Sequence, residues 1–465
     1  MPTDIGLARK HRVFAVLEDT EGTLQFPAAA NLIRPAGNAV MNQVPAFADS
    51  EELQDTLDVL DQFEMAMPAG DFTIPTYLRP ADALGGVPQA DPLWVSLMGT
   101  VNASTTASCG ATTATADEVV INTITGGVFP EKGMITITAT ETETLYYAGI
   151  ERVARDSAYA TLTGCVRAQN STAATAFTPS LVTLNTRFYK QATTSSSCSV
   201  WMETDHFVQG LSGCSVNECG LSITNDGPII ANFVGQGMQM VWAGKSSPTS
   251  TTTATPAATV IKVADAKLFS VGARIFNETQ SDDNSEAGYE ISVVDYSSAS
   301  NSITVNASRA TVWDVGDVIK GFLPSATVIG TPLEGTNTSI LVNAVAATIK
   351  PSELTIGAPK QYITDEVGTD YPQAYIEDVR DINAAFNLYF RKEDAKYFTD
   401  GYAGSEVPVL VTLDDPDAEH RVDCYMKKCK LTVPSVVPAA PAVELNMTLK
   451  ALGTDGEDSL EMCFN

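Results

Sequence analysis

Two interleaved duplications constrain this chain more than any single motif. In one, Cys214-Ser215-Val216-Asn217-Glu218-Cys219-Gly220-Leu221-Ser222-Ile223 matches Cys424-Tyr425-Met426-Lys427-Lys428-Cys429-Lys430-Leu431-Thr432-Val433. Phe188-Tyr189-Lys190 and Tyr389-Phe390-Arg391 open the two copies. Beyond each lies an alternating strand that closes on glycine: Met238, Met240 and Trp242 up to Gly244, then Val443, Leu445, Met447 and Leu449 up to Gly453. Alternation with period two marks a strand with one buried face. A strand group present twice makes two similar sheets that can pack face to face.

The other duplication is a smaller β-module. Thr112-Thr113-Ala114-Thr115 leads to Val119-Val120-Ile121, Phe129, Gly133, the strand Met134 to Thr138, Tyr146-Tyr147-Ala148-Gly149-Ile150 and Ala160-Thr161-Leu162-Thr163. Downstream, Thr252-Thr253-Ala254-Thr255 leads in the same order to Thr259-Val260-Ile261, Phe269, Gly272, Ile275, Tyr289-Glu290-Ile291 and Ile303-Thr304-Val305. Each copy reads as four or five short strands, a compact barrel or sandwich. Ser/Thr/Ala-rich connectors at 102–117, 171–179 and 245–258 flank them. The predicted layout is one β-rich host domain, 1–112, 183–249 and 325–465, interrupted by guests at 113–182 and 250–324. Insertion at loop tips is tolerated because loop-closure entropy grows slowly with length.

Local signals in the first hundred residues agree with a β host. Val13 to Leu17 is a short run rich in β-formers, closed by Glu18, Asp19 and Gly22. Phe72, Ile74, Thr76 and Leu78 alternate with Asp71, Thr73, Pro75 and Tyr77. Pro75 lacks an amide donor, which predicts an edge or a bulge there. Asp91 as cap, Pro92 at the first position and Gly99 as stop frame a short helix, whose Leu93, Trp94, Leu97 and Met98 share one face. Glu51 to Phe63 is ambiguous. Leu53, Leu57 and Leu60 follow helical spacing after Ser50, yet Asp55, Asp58 and Asp61 would then line one face and repel.

Composition narrows the function classes. The 56 acidic residues against 28 basic give a formal charge of −28, which argues against a basic nucleic-acid footprint and favours repulsion of polyanions. With 44% hydrophobic residues the chain can bury a large core. At this length the prior is roughly three domains. No stretch approaches the roughly 18 apolar residues of a membrane span, and Met1 to Gly6 carries no apolar signal core, so the chain is expected to stay in the cytoplasm where it is made. Eight cysteines (Cys109, Cys165, Cys198, Cys214, Cys219, Cys424, Cys429 and Cys463) are then expected as free thiols.

Constellations that could carry chemistry fail on physical grounds. The paired Cys-x4-Cys sequences could supply thiolates to zinc, but residues five apart on a regular strand point to opposite faces. His11, His206 and His420 accompany no nucleophile elbow. Asp282-Asp283-Asn284-Ser285-Glu286 lacks the glycine and distant glutamate of a calcium loop, and Gly235-Gln236-Gly237 sits in a strand pattern with no helix after it. No catalytic, cofactor or metal residues are assigned. A carbohydrate-binding or hydrolytic β-protein, which needs exposed aromatic platforms or a carboxylate pair, remains as an alternative. Trp94, Trp201, Trp242 and Trp313 sit mostly in apolar patterns instead.

The strand Arg12 to Leu17 with Glu18-Asp19-Thr20-Glu21-Gly22-Thr23, the phrase Pro68-Ala69-Gly70-Asp71-Phe72-Thr73-Ile74-Pro75-Thr76-Tyr77-Leu78-Arg79-Pro80, the capped helix and the closing strand Val443 to Leu452 with Gly453 resemble the tail tube (major tail) proteins of long-tailed, siphovirus-like bacteriophages. The resemblance covers the host segments, about three fifths of the chain. It implies a mainly β fold, a tail-tube sandwich or barrel with a short flanking helix, with the two inserted modules as outward decorations. It implies a structural virion protein rather than an enzyme. Its subunits would close hexameric rings that stack through a long loop, in the region of Glu51 to Phe63, and the chain termini. DNA would pass through without specific binding. The tape measure protein inside the tube, the tail terminator and baseplate or distal tail proteins are the implied partners. Polar-face candidates for the lumen are Glu444, Asn446, Thr448, Lys450, Asn387 and Gln239. Another virion β-protein, such as a terminator, hub or decoration, is the nearer alternative.

Overall fold

A computed structural model describes residues 10–465 apart from 51–60, 103–104, 126–127, 153–157, 251–258, 282–286, 298–299, 310, 326–329, 414–419, 439–441 and 455. The fold is mainly β, with two short α-helices among the described residues. Its backbone is an antiparallel sheet assembled from both host copies. In chain order its strands are β1 (Val40–Asn42), β2 (Gly70–Tyr77), β3 (Val208–Ile223), β4 (Ile230–Gly237), β5 (Ser352–Gly357), β6 (Asp381–Tyr389), β7 (Val422–Leu431), β8 (Ser435–Pro438) and β9 (Val443–Ala451). They pair in the order β1-β2-β4-β3-β5-β6-β9-β7, and β8 extends β7 along the other end of β9. The inner face carries Phe72, Ile74, Leu221, Phe233, Leu354, Phe386, Leu445, Met447 and Leu449, all buried in one core.

The duplication is visible in the backbone. β3 and β7 are the long strands of the two copies, and each carries a bulge at the same offset. In β3, Val216 and Glu218 pair with the adjacent residues Gly235 and Val234, so Asn217 is extra. In β7, Met426 and Cys429 pair with Val409 and Val407, two residues apart, so one of Lys427 and Lys428 is extra. An extra residue restores parity across an odd spacing. Cys214 and Cys219 therefore both face the core, as do Cys424 and Cys429, and the argument that residues five apart must point oppositely fails here. The structural counterpart of β9 is β4, not the Met238–Gly244 segment. In that segment Val241 and Ala243 are buried, whereas Trp242 is 37% exposed.

Helix α1 (Asp91–Met98) packs against the host strands. Every one of its residues is buried. Pro92 and Gly99, with φ +99°, frame it as predicted, but the cap position is Ala90. Asp91 instead binds the Arg187 guanidinium (2.7 Å to Nε) and the Tyr189 hydroxyl. The second helix, α2 (Lys396–Ala403), lies between β6 and the strand Glu406–Leu413. Pro75 lies where β2 has lost its second neighbour: β1 reaches only Thr73, and beyond it Ala36 donates to the Pro75 carbonyl at 2.7 Å.

The two guests are barrels with the same pairing scheme. In the first, strand Val119–Thr125 pairs with Ala160–Thr163, Ala160–Thr163 with Gly149–Glu151, Gly133–Thr138 with Thr142–Tyr147 and with Ser180–Leu184, and Thr106–Cys109 closes the ring between Ser180–Leu184 and Val119–Thr125. In the second, Val260–Lys262, Ser300–Val305, Tyr289–Ser297, Arg274–Asn277, Ile319–Gly321 and Lys245–Ser246 repeat that cycle, closed by the bridge between Pro248 and Val263. The first barrel's sheet holds eight strands, counting Val166–Gln169 beside Thr142–Tyr147, and the second six, where the sequence pattern predicts four or five. The closing strands are short and polar, and Thr106–Cys109 and Lys245–Ser246 both fall in segments read as host. The first barrel shares core with the host through Phe188 and Cys463. It is also anchored by Arg421, which lies over the Tyr146 ring and binds Asp423 at 3.0 Å.

Candidate assembly surface

The outward face of the central sheet brings five of the six lumen candidates together. Glu444, Asn446, Thr448 and Lys450 alternate along β9 with buried Leu445, Met447 and Leu449. Asn387 on β6 stands directly opposite Asn446, and Ala385 opposite Thr448. Gln239 stands apart. It follows the turn at Met238 and pairs with Ser212 in the amino-terminal half of β3, which binds a different set of strands.

The same face continues across the other copy with Asp71, Thr73 and Tyr77 on β2, Asn232 and Gln236 on β4, Glu218 and Ser222 on β3, and Glu353 and Thr355 on β5. These positions alternate with core residues, so strand geometry alone places them outward. The charge is mixed. Lys450 binds Asp381 at 2.7 Å, and Lys350 binds Glu444. The Lys450 hydrogen bond, with that of Asn383, holds the Asp381 carboxyl below its ordinary range, and the Glu444 hydrogen bond raises Lys350.

Each side of this sheet carries a bare strand among the described residues, although β7, in line with β8, is itself covered by Glu406–Leu413. β1 pairs with β2 alone, and its Val40 is 55% exposed. At the far side β8 pairs with β9 alone, every residue of it is exposed, and Val433, Val436, Val437 and Val443 are all exposed there. Unpaired strand margins carry free donors and acceptors that recruit further strands. A two-stranded arm projects between β1 and β2: Phe47–Asp49 pairs with Gln62–Glu64, and Phe47, Phe63 and Met65 are each more than half exposed. Of the ambiguous Glu51 to Phe63 segment, 51–60 lie outside the described residues, and its end belongs to this strand pair.

Behind the face, two devices that sequence reasoning missed fix the geometry. The Glu18 carboxylate, one residue after the first strand, accepts from Gly22 N (2.9 Å), Ser197 Oγ (2.7 Å), Ser199 Oγ (2.7 Å) and Gly213 N (2.8 Å). Gly213 sits at φ +59°, and a Cβ there would meet Met238 Sδ at 2.5 Å. The Glu-x-x-x-Gly spacing of the opening phrase was the available signal. Lys360, 6% exposed, donates to the carbonyls of Ser96 in α1 and Val216 beside the β3 bulge, each at 2.9 Å. Burial lowers it to about 8, against the pull of Glu377.

The cysteines are all buried and free. Burial raises every thiol, Cys165 to about 11 and Cys198 and Cys429 to about 12. Trp94, Trp201 and Trp313 are buried and offer no platform; Trp242 donates its indole N–H to the Lys267 carbonyl. The Asp282–Glu286 and Asp414–Glu419 runs lie outside the described residues, and no cluster of metal ligands forms among the described ones. Among those residues, no helix is long and apolar enough to cross a membrane. No family model matches this chain, and no curated protein matches it in sequence.

Proposed function

We propose that this chain is a structural subunit whose copies join margin to margin into rings that stack as the tail tube of a long-tailed bacteriophage. The observation that carries this reading is one continuous antiparallel sheet, built from both host copies, with a polar outward face and a bare strand at each end. In a closed ring the last margin meets the first, so no edge is left over. The polar face then lines the channel; Lys350 and Lys450 on it are held by carboxylates, while Lys430, opposite Lys450, is exposed. With the chain at −28, passing DNA is repelled rather than trapped.

In this reading the Phe47–Asp49 and Gln62–Glu64 arm reaches the next ring, and the barrels sit outside the wall. The tape measure protein occupies the lumen before ejection, and terminator and distal tail proteins cap the ends. The subunit works by shape and charge, without catalysis or cofactor, in the virion. Because each chain supplies the strand group twice, six groups need three chains and six chains supply twelve groups.

The experiment is negative-stain microscopy of the purified chain, with ring mass measured. Hollow rods support the proposal. Isolated rings that never stack favour a terminator or hub. Monomers at every concentration refute self-assembly.

A further inference from the structure

Lys10, His11 and Arg12 lead into the first strand, and Arg34 follows Leu32–Ile33, which pairs with it. With Pro35 to Asn38 they line a cleft of about 560 Å³. Such a concentration of basic side chains is out of character for a chain of −28. Internal acids account for part of it: Lys10 binds Asp205 at 2.7 Å, and Arg12 Nε binds Glu203 at 2.6 Å.

The rest is uncompensated. The Arg34 guanidinium makes no hydrogen bond or ion pair among the described residues, and His11 Nε2 is buried without a partner. Arg79, at the end of β2, has a buried Nε with no hydrogen bond. Its guanidinium is lowered from the ordinary range, first by burial and then by the charge of Arg34. Two guanidinium groups that repel each other in this way are stabilised by an added anion.

The cleft also adjoins the sheet margin. The Arg34 carbonyl accepts from Thr76 Oγ1 at 2.9 Å, beside the Ala36–Pro75 hydrogen bond. The densest run of carboxylates in the chain is Asp414-Asp415-Pro416-Asp417-Ala418-Glu419, between the strands Glu406–Leu413 and Val422–Leu431.

We propose that the Lys10–Asn38 cleft binds the carboxylates of the 414–419 segment of a second copy of this chain. This rests on the reading that copies associate through the sheet margins. Carboxylate is favoured over nucleic-acid phosphate because a duplex would have to approach a strongly acidic molecule along its length, whereas a short acidic segment meets only the cleft.

The test uses fluorescence anisotropy with the full chain and labelled peptides of residues 413–420, one with the native acids and one with all four as amides. A short DNA duplex and inorganic phosphate are separate arms. The native peptide binds, and the amide peptide binds at least about tenfold more weakly. Arg34→Glu, and the milder Arg34→Gln, weaken the native peptide by a similar factor while the thermal midpoint of the chain holds. Raising the salt weakens binding as well. Equal binding of the two peptides, or binding of duplex in place of peptide, overturns the proposal. In the full chain, Asp414→Asn, Asp415→Asn, Asp417→Asn and Glu419→Gln together reduce rod formation. Rods without peptide binding defeat this inference and leave the assembly reading standing. Peptide binding by a chain that never polymerises does the reverse.

Discussion

Replacing Glu18 by alanine removes one carboxylate on which three separate segments converge. Its four hydrogen bonds reach the turn at Gly22, the strand Cys198–Glu203 through Ser199 with Ser197 just before it, and the left-handed Gly213 within β3. In Glu18→Ala the two serine hydroxyls can turn to other acceptors, but the two glycine amides lose theirs. A buried donor left unpaired costs about 1–3 kcal/mol, and hydrogen bonds to a charged group contribute about 1.5–3 kcal/mol each. These terms are not additive, and the site is partly open to water, so the loss comes to about 3 kcal/mol. For a host of about 320 residues that lowers the midpoint by roughly 4–5 °C. Trp201 lies two residues beyond Ser199, is 1% exposed and donates to the Gln25 carbonyl at 2.7 Å. Tryptophan fluorescence, to which Trp94 in the host core also contributes and Trp313 in the second barrel adds its own signal, follows unfolding in urea and thermal titrations. Glu18→Gln, with one acceptor oxygen in place of two, should fall midway. A change below about 1 kcal/mol in Glu18→Ala would show that the carboxylate is not the organising group.

Asp423→Ala leaves Arg421 charged and 2% exposed, and also removes an acceptor from Thr412 and Asn465. A loss of about 3–5 kcal/mol in denaturant titrations is the expected result. Lys360 is lowered in the folded chain to about 8, so between about pH 8 and 10 the unfolded chain binds the extra proton and this group's contribution to stability rises with pH. The stability difference between wild type and Lys360→Met should change in the wild type's favour across that window; parallel pH profiles would refute it. Native chain at pH 8 should leave its eight thiols unlabelled by a disulfide reagent while the denatured chain gives all eight; rapid reaction of several native thiols contradicts the burial argument. Val436→Lys, on the bare strand β8, should abolish rods in negative stain without moving the thermal midpoint; unimpaired rods would remove that margin from the assembly.

Alternation made much of the fold legible. Phe72, Ile74, Thr76 and Leu78 are all buried, and so are Leu445, Met447 and Leu449. The order of apolar signals in the two guests also matched their common pairing scheme, because each barrel strand must turn a residue inward. Three kinds of information were hidden. A bulge leaves no mark in hydropathy, so the parity of Cys214 against Cys219 could not be read. The partners of Asp91 lie almost a hundred residues away at Arg187 and Tyr189, so its pairing looked like a cap. Barrel closure fell to Thr106–Cys109 and Lys245–Ser246, which are too short and too polar to announce themselves as strands. Within the candidate surface, the β9 face was readable from its own period, whereas Gln239 was assigned to it across a turn that the pattern did not show.

The matched irregularities in β3 and β7 bear on how such a molecule tolerates change. Each long ribbon serves one group of neighbours with its first half and another with its second, and a single supernumerary residue acts as the hinge of that handover. Excising Asn217, or one of Lys427 and Lys428, would roll half a ribbon over, carrying cysteines and aliphatic side chains into water and drawing lysine or glutamate into the interior. A lineage carrying this design can alter the colour of its exposed wall freely, one side chain at a time, yet it can scarcely alter the ribbon's length by one.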